Sequence, residues 1–402
     1  MGSIDYFLLV LCLGLSVPII VFSIECLLAW WPPRQWRRVE EAPPERPRLA
    51  VLMPAHNEAA VIAQTIRCVL GQLGSHDRLL VVADNCDDET AQLARQMGAD
   101  VRERRHSERR GKGYALDYGL CCLAEDPPEV VVMLDADCQI SPGTLDRLAY
   151  DAMTTGRPVQ GLYMMEKPAA PSPRDLVSAL AVLIKNRVRP LGLRRAGLPC
   201  LLTGSGMAFP WRIIRSTPVG SGNLVEDMQL GLDLLLVDAG PRFCPGALIT
   251  GRLPADRRAA ATQRTRWEQG HLSTLLGQAP RLLGAGFRQR RPDLLVMALD
   301  LAVPPLSLLV ACWLLIALLV SAAAATGNAT WWPAGIVGVG GLLFGTAVVG
   351  SWMRFAIFQL PLWCLLAVPF YVLWKVPMYF GFLLHPQRKW IRTARLTADP
   401  SA

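Results

Sequence analysis

The chain has 402 residues, of which 52% are hydrophobic, and it carries a formal net charge of +8. The hydrophobic share exceeds that of soluble proteins, and the length could hold two ordinary domains. The positive charge does not indicate nucleic acid, because the sequence has no helix-turn-helix or zinc-finger spacing and several cations border apolar segments. The 11 cysteines are scattered without Cys-x-x-Cys pairs, which favours reduced thiols over a disulfide framework or a zinc site.

The N-terminal segment is predicted to anchor the chain in a membrane. Residues 6–31 are almost unbroken apolar sequence and are long enough to cross a bilayer. They lack the basic start and cleavage site of a signal peptide, so we predict a retained anchor, with a buried core helix as the alternative. Arg34, Arg37 and Arg38 follow, and by the positive-inside rule they place the next domain in the cytoplasm.

The polar middle of the chain alternates between predicted strands and helices. Short apolar runs predict strands at 49–53, 79–83 and 130–134, with helices near 59–73 and 89–97. This alternation is typical of an α/β domain with a Rossmann-like, mainly parallel sheet. Polar residues follow the strand ends, where ligands bind in open α/β sheets.

Acidic residues follow two of these predicted strands. Asp84 begins the loop DNCDDET and is placed to accept hydrogen bonds from a base or ribose, although such a loop could also cap a helix. Asp135 and Asp137 follow the apolar run 130–134, so both carboxylates emerge where the strand ends. Neighbouring carboxylates repel, and a bound Mg²⁺ or Mn²⁺ that bridges two phosphates would relieve that repulsion.

Three further clusters each allow a functional and a structural interpretation. Lys112 in RGKG could face a diphosphate or lie in a flexible basic loop. Gly204 and Ser205 in TGSG could let the backbone approach a ligand or form an ordinary turn. Glu226 and Asp227 precede a helical pattern, so one carboxylate could cap the helix while the other accepts a proton.

The segment QRTRW contains a possible substrate contact. In a helix, Gln263, Arg266 and Trp267 would share one face at positions i, i+3 and i+4. An Arg-Trp pair can hold a charged or ring-shaped substrate, whereas an unremarkable amphipathic helix is the alternative.

The C-terminal part is apolar again. Residues 301–325, 333–350 and 355–384 are candidate membrane spans, and three prolines interrupt the last one. The basic tail should be cytoplasmic, but one anchor and three full spans would place it outside. We therefore predict that the last segment is interfacial, re-entrant or split at its prolines. The predicted regions are an anchor with its linker, a soluble domain, C-terminal membrane segments and a basic tail, at 1–44, 45–293, 294–385 and 386–402.

Together, these motifs resemble those of the family 2 glycosyltransferases, especially membrane-anchored members that synthesise polysaccharides. The resemblance covers roughly residues 50–271 and depends on seven motifs in order: PAHNE, DNCDDET, RGKGYAL, DAD, TGSG, VED and QRTRW. It implies a GT-A fold with flanking transmembrane helices. Two features depart from the family pattern, since Val225 replaces the usual threonine before Glu-Asp and the membrane region is small compared with that of cellulose synthases.

The resemblance also implies roles for individual residues. Asp227 would be the catalytic base, and Glu226 a helix cap or orienting group beside it. The metal, Mg²⁺ or Mn²⁺, would bind Asp135 and Asp137. The nucleotide and donor sugar would contact Glu58, Asp84, Asp88, Lys112 and Asp135. The acceptor and diphosphate would contact Gly204, Ser205, Gln263, Arg266 and Trp267.

The implied reaction is inverting transfer of a hexosyl or N-acetylhexosaminyl group. The donor would be a nucleoside diphosphate sugar, and the acceptor a glycan or lipid-linked sugar at the inner face of a bacterial plasma membrane. Membrane lipids and a polysaccharide export machinery are the further expected partners. Two alternatives stay open: single-sugar transfer to a membrane lipid, and a non-catalytic nucleotide sensor that controls an export complex. The sensor predicts that some of the acids would be lost, yet all are present.

Overall fold

The computed structural model describes residues 3–31, 46–168, 170–220, 225–251 and 257–384. The predicted linker after the anchor, with its three arginines, and the basic tail 386–402 lie outside the described residues. The chain forms two compact units. The apolar-helix unit comprises Met1–Pro32, Lys167–Gly197 and Glu268–Pro386, and the sheet unit comprises Pro33–Glu166, Leu198–Trp267 and Gln387–Ala402.

A mixed sheet forms the core of the sheet unit. Its eight strands among the described residues are β1 (Leu49–Ala55), β2 (Arg78–Asp84), β3 (Asp100–Arg104), β4 (Val130–Met133), β5 (Cys138–Ile140), β6 (Val159–Met165), β7 (Met207–Pro210) and β8 (Arg242–Gly251). Their order is β3-β2-β1-β4-β7-β6-β8-β5. The first four strands pair in parallel, as do β6 and β8. β7 runs antiparallel to β4 and β6, and β5 runs antiparallel to β8.

Burial on both faces explains the apolar runs of the parallel strands. In β1, Val51 and Met53 join one core cluster, whereas Ala50 and Leu52 join another. Successive side chains of a strand point to opposite faces, so the sheet is covered on both sides. Full burial of each Val or Leu side chain stabilises the fold by about 1.5–3 kcal/mol. The predicted α/β fold with a mainly parallel sheet is confirmed.

Helices flank the strands of the sheet unit and make up most of the apolar-helix unit. They are α1 (Ser3–Trp30), α2 (Ile62–Leu70), α3 (Thr90–Gln96), α4 (Lys112–Leu123), α5 (Thr144–Thr155), α6 (Pro173–Leu183), α7 (Arg189–Arg195), α8 (Trp211–Ile214), α9 (Glu226–Leu236), α10 (Arg257–Gln289), α11 (Pro292–Ala302), α12 (Leu306–Ala325), α13 (Trp332–Phe355) and α14 (Val368–Leu384). A π-helical turn, Ile184–Val188, joins α6 to α7.

Within the described residues, four segments are long and apolar enough to cross a membrane: Ile4–Trp30, Leu306–Ala325, Trp332–Phe355 and Leu362–Gly381. The third is longer than the predicted 333–350, because its helix continues to Phe355. The fourth begins with a 3-10 turn at Leu362–Leu365, and α14 starts only at Val368. Pro361 precedes this turn, consistent with a segment broken near a proline.

A buried ion cluster neutralises the acid of the N-terminal apolar helix. Arg189 donates from Nε to Glu25 Oε2 over 2.5 Å and from Nη2 to Asp300 Oδ1 over 2.6 Å. All three side chains are buried. Gly192 lets α7 approach this helix closely, because a Cβ there would collide with the carbonyl oxygen of Glu25. A buried charge is tolerated only when it is paired, so Arg189 fixes α1, α7 and α11 together.

Candidate active site

Strand pairing brings the predicted metal carboxylates next to the TGSG loop. β4 and β7 are antiparallel partners in which Met133 pairs with Met207. The residues that follow β4 therefore lie beside those that precede β7. The Gly206 amide donates to the Met133 carbonyl over 3.0 Å, which extends the pairing up to the acidic turn Asp135-Ala136-Asp137.

Gly204 allows a close approach between this loop and two predicted site residues, the donor contact Lys112 and the base Asp227. Its φ of +95° lies in the region that favours glycine. A Cβ at Gly204 would lie 3.2 Å from Asp227 Oδ2 and 3.8 Å from Lys112 Nζ. The Lys112 ammonium donates to the Gly204 carbonyl over 2.6 Å. Lys112 and Asp227 thus flank the same residue, although they are far apart in the sequence.

Lys112 also pairs with the first carboxylate of the Asp-Ala-Asp turn. Its Nζ lies 2.5 Å from Asp135 Oδ1, and both side chains are about one-quarter exposed. Burial acts to lower the pKa of Lys112, but the negative charges of Asp135 and Glu226 outweigh it and raise the pKa. Lys112 therefore stays protonated at neutral pH.

Asp135 and Asp137 form an oxygen-rich cluster with Cys138. One ligand atom from each residue lies within 4.8 Å of the others. Burial, and next the charge of Asp135, raises the pKa of Asp137 to about 6. The raised pKa reflects poorly compensated negative charge, which a cation would stabilise. Two carboxylates that meet this way fit a hard divalent cation such as Mg²⁺ or Mn²⁺.

Ser205 and Cys138 lie beneath the two carboxylates, and both are fully buried. The Ser205 hydroxyl accepts from the Asp135 amide over 3.1 Å and donates to Cys138 Sγ over 3.3 Å. The role of Ser205 as an acceptor or diphosphate contact stays a prediction, and its hydroxyl has two protein partners. Burial, followed by the charge of Asp137, raises the pKa of Cys138 well above that of an ordinary thiol. Cys138 is therefore a neutral thiol, a role that scattered cysteines in the sequence did not indicate.

Glu226 and Asp227 occupy the first turn of α9, where the helix dipole favours negative charge. The expectation that Glu226 caps this helix is wrong, because the N-cap position belongs to Val225 and Glu226 is the first helical residue. Burial, and next the charge of Asp227, raises the pKa of Glu226 to about 7. A proton on Glu226 removes its repulsion with Asp227, which leaves one carboxylate of the pair to act as a base.

The predicted nucleotide contacts lie in the loops after β1 and β2. Thr90 links two of them, since its hydroxyl accepts from the Glu58 amide over 2.8 Å and its amide donates to Asp88 Oδ1 over 3.0 Å. Burial acts to raise the pKa of Asp88, but hydrogen bonds led by those of Thr90 lower it. Asp88 thus also holds the start of α3, as the structural interpretation of this loop proposed. Both roles use the same carboxylate.

Asp84 has a partner that the sequence analysis missed. Its Oδ1 lies 2.5 Å from Nη1 of Arg104, and both side chains are nearly buried. The two residues are directly opposite each other in the parallel register of β2 and β3. Arg104 is the last residue of β3, and no local sequence pattern links it to Asp84, so only the strand pairing reveals it. A nucleotide that contacts Asp84 would meet an ion pair.

The QRTRW residues lie on α10, so Gln263, Arg266 and Trp267 share a helix face as predicted. Gln263 Oε1 and Arg266 Nε are buried and have no hydrogen-bond partner among the described residues. Burial of an unpaired polar atom costs about 1–3 kcal/mol, so such atoms favour a partner beyond the described part of the chain.

Comparison with known families and proteins gives a consistent result. The model for "Glycosyl transferase family 2" matches residues 50–164, and that for "Glycosyl transferase family group 2" matches residues 130–387. The probable glycosyltransferase YdaM of Bacillus subtilis is 26% identical over 269 residues, which cover 60% of this chain and 59% of YdaM. The uncharacterized protein MJ1222 of Methanocaldococcus jannaschii is 30% identical over 118 residues, which cover 29% of this chain and 47% of MJ1222. The chain thus spans about half to three-fifths of the length of these relatives.

One solved structure shares the fold over most of both chains. It is the mannosyltransferase PcManGT from Pyrobaculum calidifontis in complex with GDP-Man and Mn²⁺. The match has a TM-score of 0.53 and 20% identity, and it covers 92% of this chain and 99% of that one. At this identity, the likeness establishes a common fold and says nothing of substrates.

The Glu226–Asp227 pair predicts a pH-dependent stability. The pKa of Glu226 is about 7 in the folded protein against an ordinary 4.5, so the folded state binds a proton that the unfolded chain has lost. The contribution of Glu226 to the free energy of unfolding therefore falls as pH rises through this window. Glu226→Gln removes this titration, so the variant should become progressively more stable than the wild type as pH rises.

Thermal unfolding in detergent and EDTA, at about pH 5 and about pH 8, measures this difference. Glu125→Gln, at an exposed glutamate, is the control and should show no such trend. A melting-temperature difference between Glu226→Gln and the wild type that does not change with pH would contradict the prediction.

Proposed function

Because this chain belongs to the family 2 glycosyltransferases, we propose that it transfers a sugar from a nucleoside diphosphate sugar to an acceptor hydroxyl. The observation that carries the proposal is the meeting of Lys112, Asp135 and Asp227 around Gly204. A cationic group, a carboxylate pair for a metal and a possible base are then close together. These are the groups that transfer from a diphosphate donor requires.

The donor set of Asp135 and Asp137 fits Mn²⁺ or Mg²⁺. The mannosyltransferase with the same fold was solved with Mn²⁺, which supports a divalent metal cofactor here. When bound, the ion supplies positive charge that stabilises the departing diphosphate. Lys112 adds a second cationic group next to Asp135, and its ammonium can donate a hydrogen bond to the leaving phosphate.

Asp227 is the residue that we assign as general base. It accepts the proton of the acceptor hydroxyl, whose oxygen bonds to the anomeric carbon while the bond from that carbon to the diphosphate oxygen breaks. A single in-line displacement of this kind inverts the anomeric configuration. Burial, and next the charge of Asp227, raises the pKa of Glu226 to about 7, so Glu226 is partly protonated near neutral pH.

The remaining predicted residues would bind the ends of the two substrates. Glu58 and Asp88 lie in adjoining loops and Asp84 ends β2, all at the carboxyl ends of β1 and β2, where an α/β sheet binds nucleotides. Ser205 and Trp267 keep their predicted contacts with the acceptor or diphosphate. The unpaired buried atoms of Gln263 and Arg266 support a ligand at the QRTRW face.

Product analysis tests this activity and distinguishes glycan synthesis from single-sugar transfer. Membranes that contain the protein should convert at least one radiolabelled nucleotide sugar into a polymeric or lipid-soluble product, and excess EDTA should abolish the conversion. Polymer indicates glycan synthesis, whereas a short lipid-soluble product indicates single-sugar transfer to a membrane lipid.

The Asp137→Ala variant should lose turnover but keep wild-type expression and thermal stability. No conversion of any nucleotide sugar, or full activity in EDTA, would contradict the proposal.

The base assignment predicts unequal effects at the acidic pair. Asp227→Asn keeps size and hydrogen bonding but cannot accept the proton, so transfer should fall about a hundredfold or more. Nucleotide affinity should survive in Asp227→Asn, and Glu226→Gln should lower the transfer rate by less. Sugar transfer and nucleotide binding are measured for both variants in detergent. If Asp227→Asn keeps transfer while Glu226→Gln loses it, the two roles are reversed, and if both keep it, the pair is not catalytic.

We place the reaction at the cytoplasmic face of a bacterial plasma membrane. Four apolar segments that could span a membrane and the arginines at 34, 37 and 38 support this placement. The exposed residues Ser107 and Asn328 then lie on opposite sides of the membrane. In intact cells, an impermeant thiol reagent should label Asn328→Cys, and Ser107→Cys only after permeabilisation. Labelling of Ser107→Cys from outside would overturn the placement. An export machinery as partner stays a prediction.

A further inference from the structure

A chain of hydrogen bonds runs beneath the predicted metal site and connects its two aspartates. It begins at the Asp135 amide, which donates to Ser205 Oγ over 3.1 Å. The Ser205 hydroxyl donates to Cys138 Sγ over 3.3 Å, and the Cys138 thiol donates to Asp137 Oδ1 over 3.5 Å. The chain thus reaches Asp135 through its main chain and Asp137 through its carboxylate.

The surroundings hold the two middle members of this chain in place. Ser205 and Cys138 are fully buried, so water does not compete for their hydrogen bonds. The Ser205 carbonyl accepts from Gln160 Nε2 over 3.0 Å, and the glycines on either side of Ser205 have positive φ. Cys138 begins β5, where it pairs with Gly251 of β8. These contacts hold the backbone of both residues in place.

The thiol is more suited to orienting the site than to coordinating its ion. A hard divalent cation prefers oxygen ligands, and the proton of Cys138 is directed at Asp137. The Tyr163 hydroxyl is a second possible acceptor for this thiol, at 3.8 Å from Cys138 Sγ. The shorter contact favours Asp137 as the acceptor. Asp137 otherwise tends to move away from Asp135, because like charges repel.

We infer that Ser205 and Cys138 are positioning residues that set the separation and orientation of Asp135 and Asp137 for a divalent cation. The inference rests on the proposed function, since it presumes that the two aspartates hold Mn²⁺ or Mg²⁺. It assigns Ser205 a supporting place beneath the site in addition to the predicted ligand contact. The arrangement resembles the outer hydrogen-bond shell of metal sites, whose partners fix the ligands before the metal arrives.

Binding of Mn²⁺ to the full-length protein in detergent tests the inference directly. The loss of the free-ion signal in electron paramagnetic resonance gives the Kd without any turnover. Cys138→Ala should weaken Mn²⁺ binding about tenfold, the size of effect expected for an outer-shell partner. Cys138→Ser keeps a donor at this position and should stay within about threefold of the wild type. Cys244→Ala removes another buried thiol of the sheet unit and is the control for cavity formation.

Ser205→Ala and the double variant with Cys138→Ala complete the test. If the two residues act as one chain, the double variant should be scarcely weaker than either single variant, so their effects will not add. Thermal unfolding confirms that each variant is folded. A wild-type Kd for Cys138→Ala, or an equal loss in Cys244→Ala, would overturn the inference. A wild-type protein that binds no Mn²⁺ would instead refute the metal site of the proposed function, and the inference with it.

Discussion

Like-charge repulsion in a partly buried space is the constraint on which the rest of the site depends. One ammonium group interacts with several carboxylates of the sheet unit: Lys112 with Asp135, Glu226 and Asp227. A low local dielectric strengthens both the attraction and the repulsion among these groups. Burial, and next the charge of a neighbouring carboxylate, raises the pKa values of Asp137 and Glu226, so repulsion between carboxylates persists beside Lys112. A divalent cation would supply the missing charge, and the diphosphate would accompany it.

The fold meets this constraint with backbone contacts rather than with additional charged side chains. Antiparallel pairing of β4 with β7 brings the TGSG loop to the end of the strand that precedes Asp135. Gly204 then leaves room for the charged groups of Lys112 and Asp227 on one peptide, which no residue with a Cβ would do without strain. Ser205 and Cys138 hold the other side of the acidic turn. The positions of the reactive groups therefore follow from the sheet.

Part of this architecture is readable from the sequence. The runs that form β1, β2 and β4 are apolar because both faces of the sheet are covered, so the strands and their ends are visible as continuous apolar runs. Asp135 is visible for the same reason, since it follows such a run. The ion pair of Asp84 with Arg104 is not visible in the sequence, because it depends on the register of two strands. The cap at Val225 and the burial of Cys138 depend on tertiary packing, which no local pattern encodes. Chain order also hides that Lys167–Gly197 packs with the apolar helices.

The position of a bound metal is the most direct test of the proposal that Asp135 and Asp137 hold a divalent cation with the diphosphate. A structure determined with Mn²⁺ and a nucleoside diphosphate, with anomalous scattering to locate manganese, would show which residues hold the ion. We expect one manganese peak in direct coordination with a carboxylate oxygen of Asp135 or Asp137 and with diphosphate oxygens, and Lys112 hydrogen-bonded to the same diphosphate. A manganese peak on Glu226 and Asp227, or a diphosphate bound away from the Asp-Ala-Asp turn, would contradict it.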